Sequence, residues 1–133
     1  MSDDTAQESE ALIHPGDDGK FWAEVVGLAG CFTQGDNYSQ IMARLRDAHE
    51  LCSRSPAPAG GAPATPVALS ERAKAGDLTA ALVAGGWTAS AEPSEFHALW
   101  EHSASGGKLC VPKDAGEALN SGYRAAVSAY LAG

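Results

Sequence analysis

Two periodicities alternate along the chain, one of two residues and one of three to four, and they divide it into strands and helices. Ala11-Leu12-Ile13-His14 reads as a first strand, and Pro15 to Lys20 is a dense turn signal. Phe21-Trp22-Ala23-Glu24-Val25-Val26 is aromatic and β-branched, the chemistry of a half-buried strand, so a hairpin is predicted. Trp22, Glu24 and Val26 share one face of it; Phe21, Ala23 and Val25 form the cleaner apolar face, predicted to meet a helix. Gly27 and Gly30 permit a sharp bend, Cys31 to Gln34 reads as another short strand, and Gly35-Asp36 breaks it. Asn37-Tyr38-Ser39-Gln40 is a capping-box pattern. It opens an amphipathic helix with Tyr38, Ile41, Leu45, Ala48 and Cys52 on one face and Met42 beside them.

Ser53 to Pro66 has no periodicity and is crowded with proline, glycine and alanine, which predicts an extended connector. Val67-Ala68-Leu69 is a candidate returning edge strand of the first sheet, and a domain boundary is expected near Ser70. Beyond it Asp77 is a predicted cap for a helix over 78–84, ended by Gly85-Gly86. Trp87 to Ala91 reads as a strand. Glu95 to His102 alternates, with Phe96, Ala98, Trp100 and His102 on one face and Glu95, His97, Leu99 and Glu101 on the other. Lys108 to Val111 is a third strand, stopped by Pro112. Asp114 to Glu117 repeats the capping-box pattern, and Gly122 separates that start from a final helix bearing Tyr123, Ala126, Val127, Tyr130 and Leu131. The expected fold class is α+β. Two small domains are expected, over residues 11–52 (with 67–69) and 71–133, preceded by a tail over 1–10. In the second, both helices would cover one face of the sheet and leave the other open.

An apolar content of 44% in 133 residues supports a packed core, in one ordinary domain or two very small ones. The charge of −8 is uneven: ten acids face Lys20, Arg44, Arg46 and Arg54 through Pro66, leaving −6 there and −2 in the remainder. Such a first half repels phosphate and suits a basic protein surface better than nucleic acid. Met1 to Glu10 lacks the character of a secretory signal, and no apolar run has membrane-spanning length. Three cysteines with no CxxC pair argue against a disulfide framework, and a cytoplasmic setting is expected with each thiol a small buried hydrophobe. His49 and Cys52, one helical turn apart, do not make a metal site, so neither metal nor cofactor is expected.

Phe21-Trp22-Ala23, Leu28-x-Gly30-Cys31-x-Thr33-Gln34-Gly35-Asp36 and the helix after them resemble the HicB antitoxin family over about residues 10 to 69. The proline of that family's Pro-x-Leu-x-Gly is absent from Val26-Gly27-Leu28-Ala29-Gly30. The resemblance implies a small sheet packed on the helix, and a role in neutralising a ribonuclease partner of the HicA type. Residues 71 to 133 resemble the HicA toxin family itself, whose fold is like a double-stranded-RNA-binding domain. The matching pieces are Leu82-x-x-x-Gly86-Trp87, Ser94-Glu95-Phe96-His97, Val111-Pro112-Lys113 and the closing helix. That family cleaves RNA with a histidine in a Gly-Ser-His or Gly-Ser-x-His setting, which the resemblance maps onto His97. Here Pro93-Ser94-Glu95-Phe96 replaces the glycine and serine, and Lys113-Asp114 stands where the family has Arg-His.

Metal-free RNA hydrolysis needs a group to take the 2′-hydroxyl proton and cations or N–H donors around the phosphate. His97 is the candidate catalytic residue; alternation predicts it accessible, with Glu95 and Glu101 beside it raising its pKa. Lys108 and Lys113 are the candidate RNA-binding residues, and Trp22 the candidate interface residue. The expected partners are the chain's own second half or a second copy of the chain, a HicA-type toxin, and RNA; no membrane is expected. Two functions follow: a fused antitoxin–toxin pair, or a non-catalytic interaction module with a decayed toxin-like half. DNA binding is a third, which the strand-and-turn character of Trp87 to Val111 and the acidic balance disfavour.

Overall fold

The computed structural model describes residues 10–16, 19–54, 66–89 and 94–132. The first half folds as β1 (Glu10–Pro15), β2 (Phe21–Val26), β3 (Phe32–Gly35) and α1 (Tyr38–Arg54). The second half adds α2 (Ala75–Ala84), β4 (Trp87–Ala89), β5 (His97–His102), β6 (Gly107–Pro112) and α3 (Ser121–Ala132). Both sheets are three-stranded and antiparallel, in the orders β1-β2-β3 and β4-β5-β6, and the class is α+β. Most of the connector, residues 55–65, lies outside the described residues, as do the tail over 1–9 and residues 90–93.

Local chemistry explains the elements. Ala23 and Val25 are buried against Ile41, Leu45, Ala48, Leu51 and Cys52 of α1, which is the apolar face expected of β2. Asn37 caps as predicted, its Oδ1 accepting from the Gln40 N–H (2.8 Å), while the Gln40 side chain reaches one residue beyond the cap, its Oε1 accepting from the Asp36 N–H (2.6 Å). Tyr38 is a correction. It stands 61% exposed at the start of α1, edge-on to Phe21, while Leu51 takes a core position instead.

Three further expectations change. Asp77 is the third residue of α2, not its cap; it accepts from the Lys74 N–H at 2.8 Å, and the helix starts at Ala75. Val67 to Leu69 forms no strand. Its apolar side chains pack on the second half's core, and Ser128 Oγ bonds Val67 O (3.3 Å), so hydrophobic contact outweighs strand pairing there. No helix begins at Asp114. Residues 113–120 form turns and a bridge, and α3 is capped by Asn120, whose Oδ1 accepts from the Tyr123 N–H (3.0 Å). Tyr123, Val127 and Leu131 are the buried stripe of α3.

The two sheets meet at β3 and β6. Cys110 N–H donates to Gly30 O (2.9 Å), and a Cβ on Gly30 would collide with Lys108 O. Gly30 is also left-handed (φ 77°), so glycine is required there twice over. Of the two hydrophobic clusters, one joins β2 and α1 to Leu99 and Cys110. The other joins Leu78, Leu82, Trp87, Leu109, Val111 and α3, with Trp22 and Phe32 packed against it. Each half thus lends side chains to the other's core. The face of β5 expected to be open, carrying His97 and Leu99, is covered by the first half. Among the described residues, no helix is long and apolar enough to cross a membrane.

Candidate functional site

His97 opens β5, placed by the turn Ser94-Glu95-Phe96, in which Ser94 N–H donates to His97 O (2.8 Å). Opposite it lie Thr33 on β3 and Asp47 on α1. Asp47 Oδ2 accepts from Ser94 Oγ (2.6 Å), Phe96 N–H (3.1 Å) and His97 Nδ1–H (2.8 Å). A carboxylate can only accept, so Nδ1 carries the proton and the other nitrogen of the neutral ring accepts. Nε2 accepts a hydrogen bond from the Thr33 hydroxyl at 2.8 Å.

Carboxylate, imidazole and hydroxyl in a row can pass a proton, the arrangement that activates a nucleophilic hydroxyl in hydrolases. Here the relay is closed. Thr33 and His97 are both 0% exposed, and only Asp47 borders a crevice, shared with Ala43, Arg46, Glu50, Glu95 and Phe96. The accessible His97 expected from alternation is therefore corrected: alternation put it on the correct face, but α1 and β3 cover that face. Its pKa is also shifted the other way. Burial lowers it, and Asp47, which favours the charged ring, does not overcome burial. Glu95 is exposed, and Glu101 pairs with Lys108 (3.3 Å) instead of with His97. For Asp47, desolvation acts to raise the pKa, but the hydrogen bonds from Ser94, His97 and Phe96 hold the carboxyl below its ordinary value.

A second group of contacts lies alongside. Gln34, 4% exposed, donates to Glu117 Oε2 (2.9 Å) and Ala118 O (2.6 Å), and accepts from Asn120 N–H (2.7 Å). Arg44 pairs with Glu117 and lays its guanidinium over the Phe96 ring, 5.6 Å from the centroid. Asn120 Nδ2 donates to Phe21 O (2.9 Å).

The other expected residues separate. Lys113 is exposed and joins the His97 turn, its Nζ donating to Ser94 O (2.8 Å). Lys108 sits farther along β6 beside Glu101, its side chain only 15% exposed, and does not share the His97 site. Trp22 is half-buried, stacked on His14 (4.3 Å between centroids) and laid against Gly122 of α3. It joins the two halves of one chain. His102 stacks on Trp87 and bonds Ser105 Oγ (2.7 Å), and His14 bonds Glu24 (2.9 Å). Among the described residues no group of three or more His, Cys, Asp or Glu side chains is placed to hold a metal ion.

Sequence reading missed Thr33, Gln34, Arg44, Asp47 and Glu117 as site residues. Thr33 and Gln34 read as part of a short strand and of a family resemblance; two adjacent polar residues in a strand between glycines are the available signal. Asp47 had none, since it reads as one more acid on a helix. No family model, curated protein or solved structure matches this chain.

Proposed function

We propose that this is a toxin–antitoxin-type protein in which a HicB-like first half holds a HicA-like, ribonuclease-type second half closed. One observation carries the reading: both ring nitrogens of the candidate catalytic histidine are occupied by the first half, through Thr33 and Asp47. A general base must reach the proton it removes, and His97 in this state reaches none but its partners'. Freed from Thr33 and Asp47, its Nε2 would be the basic atom available to a ribose 2′-hydroxyl. Lys113, next to the same turn, is the nearer cation for the phosphate.

The test compares RNA cleavage by the whole chain and by residues 66–133. The fragment keeps a core of its own, from Ala75, Leu78 and Leu82 through Trp87, Leu109 and Val111 to Val127 and Leu131. The whole chain should leave RNA intact and the fragment should cleave it. His97→Ala in the fragment should slow cleavage by about a hundredfold or more. A fragment that is folded by circular dichroism yet leaves RNA intact would overturn the reading.

The alternative, a non-catalytic interaction module with a decayed toxin-like half, has its own support. Leu99 and Cys110, on the sheet face that RNA would have to approach, are buried among first-half side chains. That face is apolar as well as covered, which suits permanent association better than release.

A further inference from the structure

Three thiols that the proposed chemistry does not use converge where the halves meet. Cys31 precedes β3, Cys52 lies in the last turn of α1, and Cys110 is on β6; all three are buried in one cluster and none is in a disulfide. Backbone geometry sets them side by side. Cys31 Sγ donates to Ala48 O (3.5 Å), the carbonyl one helical turn before Cys52. Cys110 N–H donates to the carbonyl of Gly30, the residue preceding Cys31. The Cys52 thiol lies within hydrogen-bonding reach of both Cys110 and Cys31.

We propose that Cys52 and Cys110 form a disulfide when the chain meets a peroxide, fastening α1 of the first half to β6 of the second. Cys110 is the partner because Cys31 has its S–H committed to Ala48 O. Cys52 is the thiol placed to react first, since the contacts at Ala48 and Gly30 set the other two beside it in one buried cluster. Its position two residues from the end of α1 gives a small neutral oxidant a way in, because helix ends open before helix centres. The chemistry balances. The Cys52 sulfur attacks one peroxide oxygen, the O–O bond breaks, and one water leaves with a sulfenic acid on Cys52. The Cys110 sulfur attacks that sulfur, the S–O bond breaks, the S–S bond forms, and a second water departs. Two electrons pass from the two sulfurs to the peroxide.

The test uses the whole chain with a protease site placed between residues 55 and 65. That site puts Cys31 and Cys52 on one fragment and Cys110 on the other. The folded chain is treated with hydrogen peroxide, its remaining thiols are alkylated, and it is cut and then denatured without reductant. The two fragments should stay joined, separate on adding dithiothreitol, and weigh about 2 Da less than the sum of the reduced pair. Peptide mapping of the unsubstituted cysteines should place the link at Cys52–Cys110, and Cys31→Ala should retain it. Fragments that separate without reductant, or a link that maps to Cys31, would overturn the proposal. RNA cleavage is not read, so this result stands apart from the fate of the functional reading.

Discussion

The inner edges of the two sheets are more deeply buried than the outer ones, where only Trp87 among the described residues of β1 and β4 is a core side chain. On the outer edges Leu12 of β1 is 39% exposed, and Thr88 and Ala89 of β4 are exposed. On the inner edges β3 is buried from Thr33 to Gly35, and β6 at every position but Lys108. Among the described residues the buried polar side chains are Thr33, Gln34 and His97, and all three lie where the halves meet. The apolar clusters supply attraction that is indifferent to direction; each deeply buried large side chain contributes about 1.5–3 kcal/mol. The polar groups supply direction. Each has one arrangement in which it is satisfied, and a buried donor or acceptor left without a partner costs about 1–3 kcal/mol. The inner edges therefore fix how the halves fit, and the outer edges fix nothing of the kind.

The largest expected effect that would break this contrast is Asp47→Ala. It leaves Ser94, Phe96 N–H and His97 Nδ1–H without their shared acceptor, each worth about 1–3 kcal/mol when left unpaired, and so should carry the largest cost in urea unfolding at neutral pH. Leu12→Ala on the outer edge should cost less than about 1 kcal/mol. Equal costs would show that the inner edge is no more specified than the outer one.

An intermediate effect comes from pH. In the folded chain burial holds His97 below the ordinary imidazole value of 6.5, against the pull of Asp47, so below pH 6.5 the unfolded chain binds a proton that the folded chain refuses. Stability should be full above that value and fall as the pH drops from 6.5 toward the lowered folded value. Asp47, lowered from 3.8, adds a second loss as the pH falls below its ordinary value. The groups acting on His97 are Asp47, Arg44 and Cys52. The urea midpoint should therefore fall between pH 7 and pH 5, and His97→Gln should flatten that part of the profile. A midpoint that rises toward pH 5 would mean that the ring is held protonated.

Thr33→Val sharpens the comparison with the smallest change. It keeps the shape of the side chain and removes the hydroxyl that His97 Nε2 accepts from, at a cost of about 1–2 kcal/mol by urea unfolding. A neutral outcome would mean that Nε2 finds another donor.

Much of this was legible along the chain. The period-two pattern of Phe21 to Val26 named its core face, the Asn37…Gln40 pair named the start of α1, and alternation put His97 and Leu99 on one face of β5. These are local properties, set by backbone geometry over a few residues. Capping near residues 114–120 was misjudged because two patterns compete there. Asp114 turns back to Gly116 N–H (3.0 Å), and Asn120 does the capping.

What the sequence by itself determined is the order of the strands and helices that do form, the α+β class and the sidedness of most strands, since each depends on neighbours two to four residues apart. Only the tertiary structure decided what covers each side. Thr33 meets His97 across 64 positions of the chain, Asp47 meets it across 50, and Gln34 meets Asn120 across 86. No periodicity reaches that far. An exposed histidine and a buried one can have the same neighbours in sequence; burial is decided by which distant surface packs on the face that alternation leaves open.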